Sequence, residues 1–122
     1  MQTVAGTTER GQLSTHILDT GIGKPASGVD VSLEARNGRS DTWKTIAEGI
    51  TDKDGRIENL GGKTLPEGAY RITFETEAYF TAQKKETFFP EVTIDFYITD
   101  NTQHYHVPLL LSPFAYSTYR GS

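Results

Sequence analysis

The stretch Val29-Asp30-Val31-Ser32-Leu33-Glu34-Ala35-Arg36 alternates apolar and polar side chains without a break. Successive side chains of a strand point to opposite faces of a sheet, so this period of two predicts a strand with one face on a core. The same alternation recurs at 70–75 and 92–98. Breaker segments rich in glycine, proline and aspartate, such as 21–25 and 52–55, separate these runs. We therefore predict about eight short strands in an all-β, two-sheet sandwich.

One segment, residues 76–85, does not follow the alternation. At helical spacing it brings Ala78, Tyr79 and Ala82 to one side. A lysine pair lies near its end, where the negative end of the helix dipole favours cations. This pattern predicts one short helix among the strands.

Length and composition limit the classes of protein that remain. The 122 residues and 13.5 kDa suit one domain, to which we assign residues 11–122, with 1–10 as a flexible N-terminal segment. A net charge of -4 without a basic stripe makes nucleic acid an unexpected partner. No apolar run approaches the roughly 20 residues that cross a bilayer, so we expect no membrane insertion. Cytoplasm is the expected compartment, with periplasm left open in case a signal peptide was removed.

Three further strands are predicted at 12–19, 104–112 and 114–120. In the first, Leu13 and Ile17 take one face, and Ser14 shares the other with two outward residues. In the second, the alternation from Tyr105 to Leu111 forms the core face, which leaves the intervening residues and His104 pointing away. If the three strands are neighbours, one outer sheet face carries His16, Leu18, His106, Pro108, Leu110, Ser117 and Tyr119.

That outer face would combine apolar side chains with chemically active ones. A monomer does not usually leave such a patch in water, so we expect another subunit to cover it. Two histidines at a partly dry interface can act as general base and general acid near neutral pH. On spacing alone, a histidine on a strand is more often an ordinary surface or hydrogen-bonded residue than a catalytic one.

Other kinds of site are less well supported by the sequence. A three-histidine metal site of His16, His104 and His106 would have no clear carboxylate to orient its ligands. The 52–55 segment begins like a calcium loop, but its glycine is out of register and the closing glutamate is missing, which favours a tight turn. No serine lies in a nucleophile elbow, and cysteine is absent. We expect neither a metal nor a cofactor.

Four segments resemble the signature segments of the 5-hydroxyisourate hydrolases, a family with the transthyretin-like fold. They are residues 13–19 (LSTHILD), 51–57 (TDKDGRI), 104–113 (HYHVPLLLSP) and 116–122 (YSTYRGS). The tetrapeptide Tyr119-Arg120-Gly121-Ser122 is the most specific, because it distinguishes these hydrolases from the hormone-carrying transthyretins. The resemblance runs from about Gly11 to the last residue.

The resemblance implies a fold, an assembly and a reaction. The fold would be a transthyretin-like β-sandwich, assembled as a homotetramer, a dimer of dimers with active sites where subunit pairs meet. The reaction would be hydrolysis of a ring amide of 5-hydroxyisourate, a product of urate oxidation, to 2-oxo-4-hydroxy-4-carboxy-5-ureidoimidazoline.

Site residues carry over from the family position by position. The family's catalytic residues match His16, Arg56, His106 and Ser122, and its substrate contacts match His16, Arg56 and Tyr119. His104 matches a common residue of the motif, and we assign it no catalytic role.

Two other classes remain open. One is a carrier of a small aromatic ligand in the same channel, which would have no use for acid–base groups around an arginine. The other is a structural prealbumin-type module of a larger protein, which would lack the terminal tetrapeptide.

Overall fold

The structure, a computed structural model, describes residues 11–121; the predicted flexible segment 1–10 and Ser122 lie outside the described residues. The elements in chain order are β1 (Leu13–Asp19), β2 (Lys24–Pro25), β3 (Asp30–Arg36), β4 (Lys44–Ile50), β5 (Arg56–Ile57), β6 (Gly68–Phe74), α1 (Thr76–Thr81), β7 (Val92–Ile98), β8 (Tyr105–Ser112) and β9 (Ala115–Thr118). The described residues thus contain nine strands, where about eight were predicted. Two of the nine, β2 and β5, are only two residues long.

The strands form two sheets, which confirms the predicted sandwich. One sheet has the order β4-β3-β6-β7 and is antiparallel throughout. The other has the order β2-β1-β8-β9, and β5 pairs with β1 on the side that β2 also uses. Within this five-stranded sheet β1 and β8 run parallel. The sequence left open whether β1, β8 and β9 are neighbours, and the structure shows that they are.

A single apolar core lies between the sheets and follows the predicted alternation. Val31 and Leu33 of β3 are buried, whereas Ser32 and Glu34 are only half-buried. The large, fully buried side chains of the sheets and the helix are Leu13, Ile17, Leu33, Ile72, Phe74, Phe80, Val92, Ile98, Leu109 and Leu111. This core fixes which face of the five-stranded sheet remains outside.

Helix α1 is shorter than predicted, and its buried side is different. It ends at Thr81 rather than near residue 85, because Lys84 adopts a left-handed φ of 59° that no α-helix contains. The buried helix residues are Thr76 and Phe80, while Ala78 and Ala82 are exposed. Tyr79 packs against the core as a half-buried residue, so the predicted side was wrong for the two alanines, whose place is taken by Phe80, which buries more apolar area than both alanines together. No helix among residues 11–121 is long and apolar enough to cross a membrane.

Candidate active site

His16 and Arg56 lie directly opposite one another on the outer face of the five-stranded sheet. They are register partners in the antiparallel pairing of β1 with β5. Directly opposite residues of paired strands project to the same face, so the imidazole and the guanidinium share one surface. Both residues are half-buried, in contrast to the fully buried Ile17 next to His16. The pairing makes direct neighbours of two residues that are far apart in the chain.

The turn before β5 determines where Arg56 enters the sheet. One carboxylate oxygen of Asp52 accepts hydrogen bonds from the backbone amides of Asp54 (2.8 Å) and Arg56 (3.0 Å). Gly55 has a φ of 73°, and a Cβ there would lie 2.5 Å from the carbonyl oxygen of Ile17. The Ile17 amide in turn donates to the Gly55 carbonyl at 2.8 Å. The segment is thus the tight turn that the sequence favoured, and it docks β5 on β1.

His106 projects from the neighbouring strand onto the same face. Its register partner on β1 is Ser14, two residues before His16. Strands in a sheet are about 4.8 Å apart and rise about 3.3 Å per residue, so the two histidine backbones are diagonal neighbours roughly 8 Å apart. Imidazoles at that separation can contact one small planar molecule between them. The structure therefore brings His16, Arg56 and His106 together across β5, β1 and β8.

Ser14 joins two histidines by hydrogen bonds. Its hydroxyl oxygen lies 2.8 Å from Nδ1 of His106 and 3.0 Å from Nε2 of His104. Nδ1 of His104 lies 2.9 Å from the carbonyl oxygen of Gly11. Sequence reasoning placed Ser14 on the outer face but gave it no role. The available signal was its position two residues before His16, on the face to which His104 and His106 were also predicted to point.

Burial and the charge of Arg56 both favour neutral imidazoles. Burial is the larger cause that lowers the pKa of His16, followed by the Arg56 cation; a hydrogen bond to the Asp54 backbone opposes the shift. Burial also lowers the pKa of His106, with further contributions from Arg56, His16 and His104. The Arg56 guanidinium is thus within electrostatic range of both rings. Each ring is ready to accept a proton near neutral pH.

The C-terminal segment packs against His106. After β9, the Gly121 amide donates to the His106 carbonyl at 2.8 Å. A Cβ at position 121 would lie 2.5 Å from Cδ2 of the His106 ring, so only glycine fits there without displacing the imidazole. Arg120 is turned elsewhere: its guanidinium lies 4.4 Å from the ring centroid of Tyr105 and donates to Gln103 at 2.9 Å. Arg120 therefore holds the C-terminal segment against Tyr105 and Gln103. Ser122 lies outside the described residues.

Tyr119 is exposed and lines a groove of about 410 Å³ between the edge strands β7 and β9. Neither His16 nor His106 lines this groove. Within one subunit, the Tyr119 side chain therefore lies at the edge of the sandwich, away from both histidines. Its contact with the substrate stays a prediction.

The alternative of a three-histidine metal site has little support in the geometry. Three ring nitrogens, both of His104 and Nδ1 of His106, are engaged by Ser14 or Gly11. Across residues 11–121 no group of three or more histidine, aspartate or glutamate side chains has an arrangement that could hold a metal ion.

Known proteins similar to this chain share both its sequence and its fold. The model of the HIUase/Transthyretin family matches residues 13–121. A 5-hydroxyisourate hydrolase of Salmonella typhimurium is 50% identical over 111 residues, which cover 90% of this chain and 80% of the relative.

Solved structures agree with these sequence matches. The 5-hydroxyisourate hydrolase of Klebsiella pneumoniae superposes with a TM-score of 0.78 at 43% identity, covering 90% of this chain and 98% of that one. Sea bream transthyretin in complex with thyroxine superposes with a TM-score of 0.83 at 35% identity, covering 90% and 94%. On the evidence of the match over residues 13–121 and of these relatives, the chain belongs to the HIUase/transthyretin family.

Proposed function

We propose that the protein hydrolyses 5-hydroxyisourate to 2-oxo-4-hydroxy-4-carboxy-5-ureidoimidazoline, a step of urate degradation. The observation that carries this proposal is the placement of His16, Arg56 and His106 on one outer face, where burial and then the Arg56 cation lower the pKa of both imidazoles. Relatives from bacteria to mouse, 41–50% identical, are named 5-hydroxyisourate hydrolases, which supports the same reaction here.

The first step is attack by water on the ring amide. One neutral imidazole of the His16 and His106 pair takes a proton from water while the water oxygen bonds to the amide carbonyl carbon. The carbonyl electron pair moves to oxygen, and the resulting oxyanion lies beside the Arg56 guanidinium. Fixed donors aimed at such an oxyanion stabilise the transition state more than the ground state.

The second step breaks the ring. The oxyanion collapses, the carbon–nitrogen bond breaks, and the leaving nitrogen takes a proton from an imidazolium. One water is consumed, and the product carries a new carboxyl group and a new N–H. Proton transfer by placed side chains typically contributes about 10² to 10⁴ in rate.

Arg56, Tyr119 and Ser122 supply binding in this scheme. The planar, multidentate guanidinium of Arg56 suits an anionic, purine-derived ring. Tyr119 contributes a wall of the pocket, and the Ser122 hydroxyl holds the substrate or a histidine by a hydrogen bond. Tyr119 lines the groove between β7 and β9, away from the histidines of its own subunit. In the proposed assembly, the Tyr119 of one subunit would therefore contact a substrate on the outer face of another.

The working form is proposed to be a homotetramer, a dimer of dimers with sites where subunits meet. On the outer face, Leu18 and Leu110 are half-buried register partners beside the histidines. Apolar side chains next to titratable ones are typical of a surface that a second subunit covers. Covering this face would also exclude water from the site and strengthen its electrostatics.

The reaction is proposed to need no metal ion. Two imidazoles provide the base and the acid, and a guanidinium provides the charge that a metal would otherwise supply. Exhaustive chelation followed by gel filtration should leave turnover of freshly generated 5-hydroxyisourate unchanged. Loss of activity that returns only on adding a divalent metal would refute this part of the proposal.

A ligand carrier is the main alternative, since the backbone resembles sea bream transthyretin at least as well as it resembles the Klebsiella hydrolase. Fold similarity alone therefore does not separate the two functions. Sequence identity is higher to the hydrolases, at 50% and 43% against 35% for that transthyretin. The acid–base pair around an arginine also favours the hydrolase.

The direct test is a spectrophotometric assay in which urate and urate oxidase generate 5-hydroxyisourate in place. The wild-type protein should accelerate its disappearance well above spontaneous decay. His106→Asn keeps size and polarity but cannot shuttle a proton at neutral pH, so kcat should fall by about 10² to 10⁴. Unchanged turnover in His106→Asn would remove the acid–base role, and no acceleration by the wild type would remove the proposed function.

A further inference from the structure

The hydrogen bonds around Ser14 form a chain with a defined direction. A backbone carbonyl can only accept, so Nδ1 of His104 must donate its proton to Gly11. In a neutral His104 the other nitrogen, Nε2, then has no proton and must accept, which it does from the Ser14 hydroxyl at 3.0 Å. Ser14 has a single hydroxyl proton, so its oxygen must accept from Nδ1 of His106 at 2.8 Å. Every bond in the chain then has one donor and one acceptor.

We propose that Ser14 and His104 are positioning residues that hold His106 in the tautomer protonated on Nδ1, so that its Nε2 is the atom that accepts the proton from water. This inference rests on the proposed hydrolase function and deepens it. It assigns the general base to His106 rather than leaving His16 and His106 equivalent. It also gives a role to His104, which needs no contact with the substrate.

Burial keeps this chain of bonds in place. Ser14 is only 3% exposed, so its hydroxyl is unavailable to substrate and has the two imidazoles as partners. Gly11 is buried, and a Cβ there would lie 2.3 Å from the Asn59 side chain, so the backbone that supplies the accepting carbonyl has little freedom.

Packing also restricts the other side of the His106 ring. A Cβ added at Gly121 would lie 2.5 Å from Cδ2 and 3.1 Å from Cγ of His106, so the Gly121 backbone approaches the edge of the ring away from Nδ1. Ser14 and Gly121 therefore hold the ring from both sides, which leaves Nε2 as the nitrogen for chemistry. A general base must present its lone pair in a fixed direction, because misorientation costs rate even when the pKa is suitable.

The tautomer itself can be measured without any substrate. In ¹⁵N-labelled wild-type protein at neutral pH, the nitrogen shifts of His106 should show a protonated Nδ1 and an unprotonated Nε2. The opposite pattern in the folded wild-type protein would overturn the proposal. Because this readout does not use catalysis, a protein with the expected tautomer but no hydrolysis would refute the proposed function and leave the positioning role standing.

Two substitutions at His104 separate positioning from packing. His104→Leu removes the acceptor, so the Ser14 hydroxyl should turn and donate to Nδ1 of His106, which moves the His106 proton to Nε2. His104→Gln keeps an acceptor oxygen near the same place and should retain the wild-type tautomer. In turnover assays, kcat should fall about 10- to 100-fold in His104→Leu with KM little changed, because only part of the rate gain from acid–base catalysis depends on positioning. The kcat of His104→Gln should be close to that of the wild type.

Ser14→Ala tests the centre of the chain, with Ser112→Ala as its matched control. Ser112 lies on the same strand as His106 and donates to the Ala115 carbonyl, remote from the histidines. Ser14→Ala should lower kcat with KM little changed and remove the tautomer preference, while Ser112→Ala should change neither. If Ser14→Ala and His104→Leu both keep the wild-type tautomer and kcat, Ser14 and His104 have no positioning role.

Discussion

At the scale of single residues, the site depends on neutral imidazoles beside a permanent cation. His16 and His106 are half-buried, and burial together with Arg56 lowers the pKa of each ring. A lowered pKa means that both rings remain unprotonated to a more acidic pH than a free histidine. In the proposed mechanism, acid–base catalysis and substrate binding therefore use the same cluster, and Arg56 contributes to both.

Replacing Arg56 by glutamine should change both histidines at once. Loss of the guanidinium removes a charge that opposes protonation, so the pKa values of His16 and His106 should rise, as followed by NMR titration. The acidic limb of the kcat/KM profile should move to higher pH, and kcat should fall by about 10² to 10³.

The exposed loop residue Arg39 provides a matched control. Arg39→Gln should leave both histidine pKa values and kcat unchanged. If the two pKa values stay the same or fall in Arg56→Gln, the electrostatic role assigned to Arg56 is wrong.

At the scale of elements, the alternation of apolar and polar residues predicted the longer strands. It did not predict which residues of different strands lie next to one another. The alternation of Val31 and Leu33 with polar neighbours predicted β3, and the outward histidines of β1 and β8 followed from the same rule. Neither β5, which is two residues long, nor its pairing with β1 has such a period. Arg56 therefore entered the predicted site only through family resemblance.

The Ser14 hydrogen bonds also lay beyond sequence reasoning, because they depend on the parallel register of β1 and β8 rather than on either strand alone. Helix α1 shows a different limit. Its end depends on the left-handed Lys84, and a lysine gives no signal for that conformation as a glycine would.

Gly55→Ala should disrupt the turn that places Arg56. The φ of 73° is strained for alanine, and the new Cβ would lie 2.5 Å from the Ile17 carbonyl oxygen. The free energy of unfolding in urea should fall by about 1–3 kcal/mol, and kcat/KM should fall as β5 shifts.

Gly38 is a suitable comparison, since an added Cβ there meets nothing within 4 Å and its φ is not positive. Gly38→Ala should have little effect on stability or turnover. Equal stability of the Gly55→Ala and Gly38→Ala variants would contradict the importance of the turn.

At the scale of the whole molecule, one face of the sandwich carries both the site and apolar side chains. Leu18, Leu110 and the three polar site residues all lie on the outer face of the five-stranded sheet. A sheet packed on its core by one face has the other available for assembly. The proposed tetramer would bury that second face and supply Tyr119 to the site.

Charge placed on this face should break the assembly. Light scattering on the wild-type protein should give about four times the 13.5 kDa of one chain. Leu110→Arg should give smaller species with reduced turnover and a preserved β-sheet spectrum, because a buried, unpaired charge is costly.

The control is Ile46→Arg on β4 of the other sheet, where the isoleucine is already 47% exposed. It should leave the oligomer intact. A wild-type monomer that is fully active would refute the proposed assembly.

The most direct measurement is a crystal structure of the protein with a planar purine analogue that it cannot hydrolyse. The analogue should lie on the outer face of the five-stranded sheet, within hydrogen-bond distance of the Arg56 guanidinium and between the imidazoles of His16 and His106. An analogue bound elsewhere, with those three side chains too far apart to touch it in any assembly, would contradict a shared catalytic site.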